Sequence, residues 1–156
     1  MSQGHCELPY KLEDTYILQF GNFHFYEKFV VAEIGEGVTY DAFMVNMVME
    51  LINSHYGKRK SIGYISNRIN NYTVSRSAWS LFLKNSERFN GYATVPSDND
   101  TLWNKILNFN KSKFEKANFS TLLEAASWVT SLSILIKNKK LAKKYISPLE
   151  NRTHFL

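Results

Sequence analysis

The residues best suited to chemistry are concentrated in segment 66–76, where hydroxyl, amide and guanidinium groups follow one another without a carboxylate. Arg68 can bind a carboxylate or a phosphate through two parallel hydrogen bonds. Ser75 is the expected amino-terminal cap of a helix, whose free backbone N–H groups would add to an anion site. The pattern predicts a binding loop, and its candidate residues are Ser66, Asn67, Arg68, Asn70, Tyr72 and Ser75. The alternative is a purely structural loop, because asparagine is common wherever a turn is needed.

Patterns typical of catalysis or of metal binding do not occur in the sequence. The four histidines are scattered without the spacing of a metal site, and Cys6 is the single cysteine. Neither a glycine-rich phosphate loop nor a Gly-x-Ser-x-Gly turn is found. We therefore expect no catalytic residue, no metal and no cofactor, in a protein that is not an enzyme.

The elements that must place the loop begin with the apolar run Ile62–Ile65, which predicts a buried strand. A loop that joins the carboxyl end of a strand to a helix is where open α/β sheets bind ligands. Upstream, β-branched and aromatic residues predict an antiparallel meander with a turn at Gly21 and Asn22. Its three strands are expected over residues 15–20, 23–26 and 29–34.

Helices are predicted where the apolar spacing changes to three and four. Thr39 would cap the first helix, which Gly57 would end. After the loop, a helix is predicted from Ser75 to about Phe89, followed by a turn at Asn90 and Gly91 and a strand over 92–95. A helix over about 98–110 and a short strand over 114–119 come next. The last predicted helix begins with a capping box formed by Thr121 and Glu124. This order predicts an α/β fold with a mixed sheet of four to five strands, flanked by about four helices.

The positive charge is unevenly distributed along the chain. The net charge is +5, yet acidic and basic residues balance over 1–131, so the excess lies entirely in 132–156. We therefore divide the chain into a polar lead (1–14), one domain (15–131) and a basic carboxyl-terminal extension (132–156). The lysines of the extension are Lys137, Lys139, Lys140, Lys143 and Lys144. With the neighbouring apolar residues they suit an anionic membrane surface or nucleic acid, or a helix with one solvated face.

The chain has neither a secretory signal pattern nor an apolar run of membrane-spanning length, so a cytoplasmic location is expected.

Four segments resemble the bacterial STAS/SEC14-like family, which has the fold of the sporulation anti-sigma-factor antagonist. They are YILQFGNFHFYEKFVVAEI, IGYISNRINNYTVS, GYATV and LLEAASWV, within residues 15–131. The resemblance implies a four- or five-stranded sheet with flanking helices. In the antagonists a serine just after the central strand is phosphorylated, which corresponds to the region of Ser66. The antagonists' Asp-Ser-Ser/Thr-Gly segment is replaced here by Ile65-Ser66-Asn67-Arg68.

Two functions follow from the loop and from the resemblance. The first is a non-enzymatic regulatory module that binds another protein through loop 66–76. The alternative is a SEC14-like binder of a lipid or another small apolar ligand, whose basic extension touches an anionic membrane. Nucleic-acid binding through the extension is less favoured, and a homodimer is left open.

Overall fold

The computed structural model describes residues 8–95 and 115–153, which form eight strands and three α-helices. The strands are β1 (Leu12–Leu18), β2 (Gly21–Tyr26), β3 (Phe29–Ile34), β4 (Thr39–Tyr40), β5 (Ile62–Asn67), β6 (Thr73–Val74), β7 (Phe89–Val95) and β8 (Glu115–Asn118). The helices are α1 (Ala42–Tyr56), α2 (Arg76–Lys84) and α3 (Leu122–Thr153). A single 3-10 turn, Ser86–Arg88, joins α2 to β7.

Six strands form one mixed sheet in the order β1-β2-β3-β5-β7-β8, and β4 pairs with β6 in a separate two-stranded ladder. The first three strands are antiparallel, and β3, β5, β7 and β8 run parallel. The predicted α/β class and the opening meander are therefore confirmed. The predicted strand number was too low, because both β1 and β8 join the main sheet as its edges. The helix expected over about 98–110 lies outside the described residues.

Alternation along the strands divides the core into two layers. On β5, Ile62 and Tyr64 pack with α1 and α2, whereas Ile65 packs with α3. The first layer is rich in aromatic rings, and Tyr64 stacks on Tyr92 at 5.2 Å between ring centroids. Because β3 and β5 are covered on both faces, their sequences are mostly apolar, as in buried parallel strands, with Glu33, Ser66 and Asn67 as the polar exceptions near their carboxyl ends.

Glycines in the strands mark places where another part of the chain approaches closely, and two of them were wrongly predicted as turns. The β1–β2 turn is formed by Gln19 and Phe20, since Leu18 pairs with Gly21. A Cβ on Gly21 would lie 2.7 Å from the carbonyl oxygen of Glu33. Gly91 likewise lies within β7, where α3 crosses the sheet.

Helix α1 begins two residues later than expected. Thr39 belongs to β4, and the cap is Asp41, whose Oδ1 accepts a hydrogen bond from the Met44 N–H at 3.0 Å. The prediction that Gly57 ends α1 is confirmed, and Gly57 has a φ of 85°, which favours glycine.

Helix α3 packs on the second face of the sheet through small and β-branched residues. Ala125, Ala126 and Val129 are fully buried, and Val129 rests on Gly63 of β5. One half of the capping box predicted at Thr121 and Glu124 is shown: the Glu124 N–H donates to the Thr121 hydroxyl at 3.2 Å, and that hydroxyl donates to Glu124 Oε1 at 2.9 Å. Residues 132–153 of the basic extension continue this helix. Within the described residues, no helix combines the length and apolar character needed to cross a bilayer.

Candidate binding surface at the carboxyl edge of the sheet

Ser66 and Asn67, predicted as loop residues, form the end of β5. Successive residues of a strand point to opposite faces, so Ser66 faces the layer of α1 and α2 and Asn67 faces the other. The Ser66 hydroxyl hydrogen-bonds the Tyr72 hydroxyl, and Asn67 Nδ2 donates to Glu33 Oε2 at 2.9 Å. Both β5 side chains are almost fully buried. Their polar groups therefore hold the loop in place from inside the protein.

A buried polar cluster connects the loop to the meander. His24 Nε2 lies 2.8 Å from Glu33 Oε1, and the other Glu33 oxygen accepts from Asn67. His24 Nδ1 is 3.2 Å from the Thr15 hydroxyl, which stands opposite it in the β1–β2 register. The exposed fractions of His24 and Glu33 are 5% and 3%. Because buried polar groups need partners, this cluster fixes β1, β2, β3 and β5 relative to one another.

The order hydroxyl, imidazole and carboxylate in this cluster is also that of a nucleophile-activating triad. If Nε2 of His24 is the donor to Glu33, then Nδ1 is left to accept from the Thr15 hydroxyl. However, both carboxylate oxygens already have partners within the sheet, and the imidazole is buried. We interpret the cluster as structural.

Arg68 is held against the ring of Tyr72. Its guanidinium carbon lies 4.1 Å from the ring centroid, and its Nη2 donates to the Tyr72 carbonyl oxygen at 2.9 Å. The Arg68 backbone N–H donates to the Val95 carbonyl oxygen. A cation over an aromatic face is electrostatically stabilised. The side chain that the sequence suggested for anion binding therefore contributes to the shape of the loop.

The rest of the loop is tied to the end of β3 and to α2. Asn70 Nδ2 donates to the Ile34 carbonyl oxygen at 3.0 Å, and the Asn71 N–H donates to Glu36 Oε2 at 2.6 Å. Ser75 is the helix cap that the sequence predicted, with its Oγ accepting from the Ala78 N–H at 3.1 Å. Each of these bonds restricts the backbone of the loop.

Hydroxyl groups of tyrosines lie beneath the loop. Tyr40 and Tyr64 share a hydrogen bond of 3.1 Å, and Ser66 also interacts with Tyr92. Burial raises the pKa of Tyr64 and of Tyr92 well above the usual range, because a phenolate would be desolvated there. These hydroxyls therefore stay neutral and act as hydrogen-bonding groups.

The six candidate residues come together, but they do not all face the solvent. Ser66, Asn67 and Tyr72 are buried, and Arg68, Asn70 and Ser75 are half-buried. The large apolar side chain that the loop exposes is Ile69, with 49% of its surface accessible. Sequence reasoning missed His24 and Glu33, although a glutamate within the buried run Phe29–Ile34 was a usable signal.

Two adjoining depressions lie near this edge of the sheet, and the first of them borders the loop through Ile69 and Asn70. A polar cleft of about 520 Å³ is lined by Asn22, Glu33, Ile69 and Asn70, together with Leu18 and Gln19. An apolar groove of about 680 Å³ lies between β1 and α1 and shares Leu18 and Gln19 with that cleft. The groove is further lined by Ile17, Phe20, Val38, Phe43, Met44 and Met47. We call it the β1–α1 groove. No metal-binding cluster of His, Cys, Asp or Glu occurs within 8–95 and 115–153.

Comparison with protein-family models, with curated proteins and with solved structures finds no match to this chain. The resemblance to the STAS/SEC14-like family therefore stays a prediction, carried by the four sequence segments and compatible with the α/β architecture.

Proposed function

We propose that this chain is a non-enzymatic protein-interaction module, with the β1–α1 groove and the exposed part of loop 66–76 as its contact surface. The observation that supports this function is a group of large apolar side chains left in solvent at the groove. The exposed fractions are 79% for Ile17, 73% for Phe43 and 37% for Met47. Contiguous exposed apolar surface is typical of interaction sites.

The internal bonding of the loop supports the same proposal. Ser66, Asn67, Arg68 and Asn70 direct their polar groups to partners within the protein. The loop is thereby held in one shape and presents Ile69 beside the polar cleft. A surface that is ordered before binding loses less conformational entropy on association. The fitting partner is a protein that places an apolar side chain between β1 and α1.

The experiment compares three variants of the full chain for capture of a partner from lysate of its own cells. Phe43→Ser removes an exposed anchor, and truncating such an anchor typically costs about 2 kcal/mol, or roughly thirtyfold in affinity. Leu123→Ser is the matched control, because Leu123 is 49% exposed on α3. Arg68→Ala tests whether the polar loop residues contribute.

The expected result is a partner that Phe43→Ser loses and Leu123→Ser retains, with the melting temperature of both variants close to that of the original chain. Equal capture by both variants would refute the groove as the contact surface. Loss of partner capture with Arg68→Ala alone would mean that the partner contacts loop 66–76 and not the groove.

A second candidate function is the binding of a lipid or another small apolar ligand in the same groove. The volume of about 680 Å³ falls within the range of ligand pockets. Met44 and Met47 add flexible side chains that adapt to ligand shape. Native mass spectrometry of protein purified from its own cells tests this function. A bound apolar molecule that Met47→Ser reduces would support it, and a bare chain would count against it.

A further inference from the structure

We propose that the part of α3 beyond the sheet, residues 134–144, lies along the surface of an anionic lipid bilayer. We call this part the α3 arm. The helix leaves the core at a defined place: Val129 is fully buried, Leu132 and Ser133 are half-buried, and Ile134, Leu135 and residues 137–144 are exposed. At about 1.5 Å per residue, α3 from residue 134 to its end extends roughly 30 Å.

The α3 arm is amphipathic. A helix turns about 100° per residue, so Ile134 and Leu141 lie within roughly 20° of each other around the axis. Leu135 lies about 100° further round the axis, at the edge of the lysine side. The exposed fractions are 50% for Ile134, 48% for Leu135 and 46% for Leu141. Lys143 lies about 180° from Ile134 by the same geometry. Lys139 and Lys140 lie within about 60° of Lys143, whereas Lys137 and Lys144 lie about 100–120° from it and border Leu141.

The charge and the apolar side together select the partner. The whole net charge of +5 lies in the extension, and the five lysines of the arm are exposed. Nucleic acid would need the lysines but would leave the aliphatic side chains in water. A bilayer with anionic headgroups satisfies both, because such helices bury their apolar side at the boundary of the acyl chains. Lysine stems reach past that boundary and keep their ammonium groups among the headgroups.

The affinity of the arm for a bilayer depends on both its apolar and its basic side. Three aliphatic side chains give too little apolar area for stable binding to a neutral bilayer, so anionic lipid is essential. Each lysine near an anionic surface strengthens partitioning roughly fivefold. The proposal therefore predicts binding to anionic vesicles and little binding to neutral ones, with a strong dependence on salt.

The test is flotation of the full chain with two kinds of vesicle. Neutral vesicles contain phosphatidylcholine alone, and anionic vesicles contain in addition about one third phosphatidylglycerol. The variant Lys139→Gln/Lys143→Gln removes two charges from the arm. The matched control, Lys58→Gln/Lys84→Gln, removes two exposed charges elsewhere. Leu141→Ser reduces the apolar side without changing the charge. Circular dichroism verifies that each variant is folded.

We expect binding to the anionic vesicles, a decrease of roughly thirtyfold for Lys139→Gln/Lys143→Gln, and no change for the control pair. Leu141→Ser should also weaken binding, by about fivefold. Absence of binding to anionic vesicles would overturn the proposal. Equal losses of vesicle binding in the arm variant and in the control would mean that binding depends only on the net charge of the protein, and would also overturn the proposal. Full binding by Leu141→Ser would overturn it too, since the arm would then act as a bare polycation suited to nucleic acid.

Discussion

Replacement of Gly63 by alanine is expected to force α3 away from the sheet. A Cβ at this position would lie 2.5 Å from Val129 Cβ and 2.8 Å from Val129 Cγ2. Carbon atoms in contact are normally about 3.5–4.0 Å apart, so the helix must withdraw by roughly 1 Å. Val129 is fully buried and its Cβ is fixed to the helix backbone, so a change of rotamer cannot relieve the contact.

The size of the effect follows from two opposing contributions. Overpacking a core costs typically about 1–3 kcal/mol. Replacing glycine within a strand returns about 0.5–1 kcal/mol of backbone entropy. We expect a net loss of about 1–2 kcal/mol in the free energy of unfolding. For a chain of this size that corresponds to a melting temperature lower by roughly 2–8 °C.

Gly91→Ala is the matched control for Gly63→Ala. Its Cβ would come within 2.8 Å of Leu132 Cδ1 and of Trp128 Cη2. These atoms are the ends of half-buried side chains that can rotate, so the loss should be smaller. Urea denaturation followed by far-ultraviolet circular dichroism measures both. A midpoint for Gly63→Ala at or above that of Gly91→Ala would refute the reasoning.

The remaining predictions concern the loop and the tyrosines. Ser75→Ala removes the cap of α2 and should lower the free energy of unfolding by about 1 kcal/mol in urea denaturation, whereas Ser75→Asp should retain it. Asn67→Ala removes the hydrogen bond to Glu33 and should cost about 1–3 kcal/mol in the same assay; a neutral result would mean that the buried cluster does not fix the loop. Because burial raises the pKa of Tyr64 and Tyr92, the contribution of these two groups to stability should be constant below a pH of about 10 and should fall above it, where the unfolded chain releases phenolic protons that the folded chain keeps. The difference in phenolate absorbance between the original chain and Tyr64→Phe/Tyr92→Phe should rise together with unfolding of the original chain; a rise of this difference while that chain is folded would contradict the burial of the two hydroxyls.

The order of elements could be predicted because it depends on local patterns. Runs of β-branched and aromatic residues predicted the meander, and the change to an apolar spacing of three and four predicted α1. Ser75 was recognised because a serine before an apolar helical pattern is a local signal. The glycines were misread for the opposite reason. Gly21 and Gly91 are needed where distant backbone or side chains approach, and nothing in the adjacent residues records that approach.

The arrangement of the site could be predicted only in part. The sequence located the loop correctly between β5 and α2, but it treated each polar residue as available to a ligand. The partners of Asn67 and Asn70 are Glu33 and the Ile34 carbonyl oxygen, more than thirty residues earlier. Such pairs depend on which strands become neighbours, which the local pattern does not specify. The apolar groove could not be predicted either, because Ile17 and Phe43 have the spacing of core residues in a strand and in a helix.

The two proposed surfaces lie on different faces of the sheet, which permits a test of whether they act independently. The β1–α1 groove borders the layer of α1, whereas the α3 arm continues the helix that packs on the opposite face. Substitutions at sites that are far apart and share no partners usually have additive effects. Phe43→Ser should therefore leave vesicle binding unchanged, and Lys139→Gln/Lys143→Gln should leave capture of a protein partner unchanged. Vesicle flotation and partner capture, each applied to both variants, measure this. Loss of both activities in either variant would mean that groove and arm contact a single partner, because one bound molecule would then span both faces.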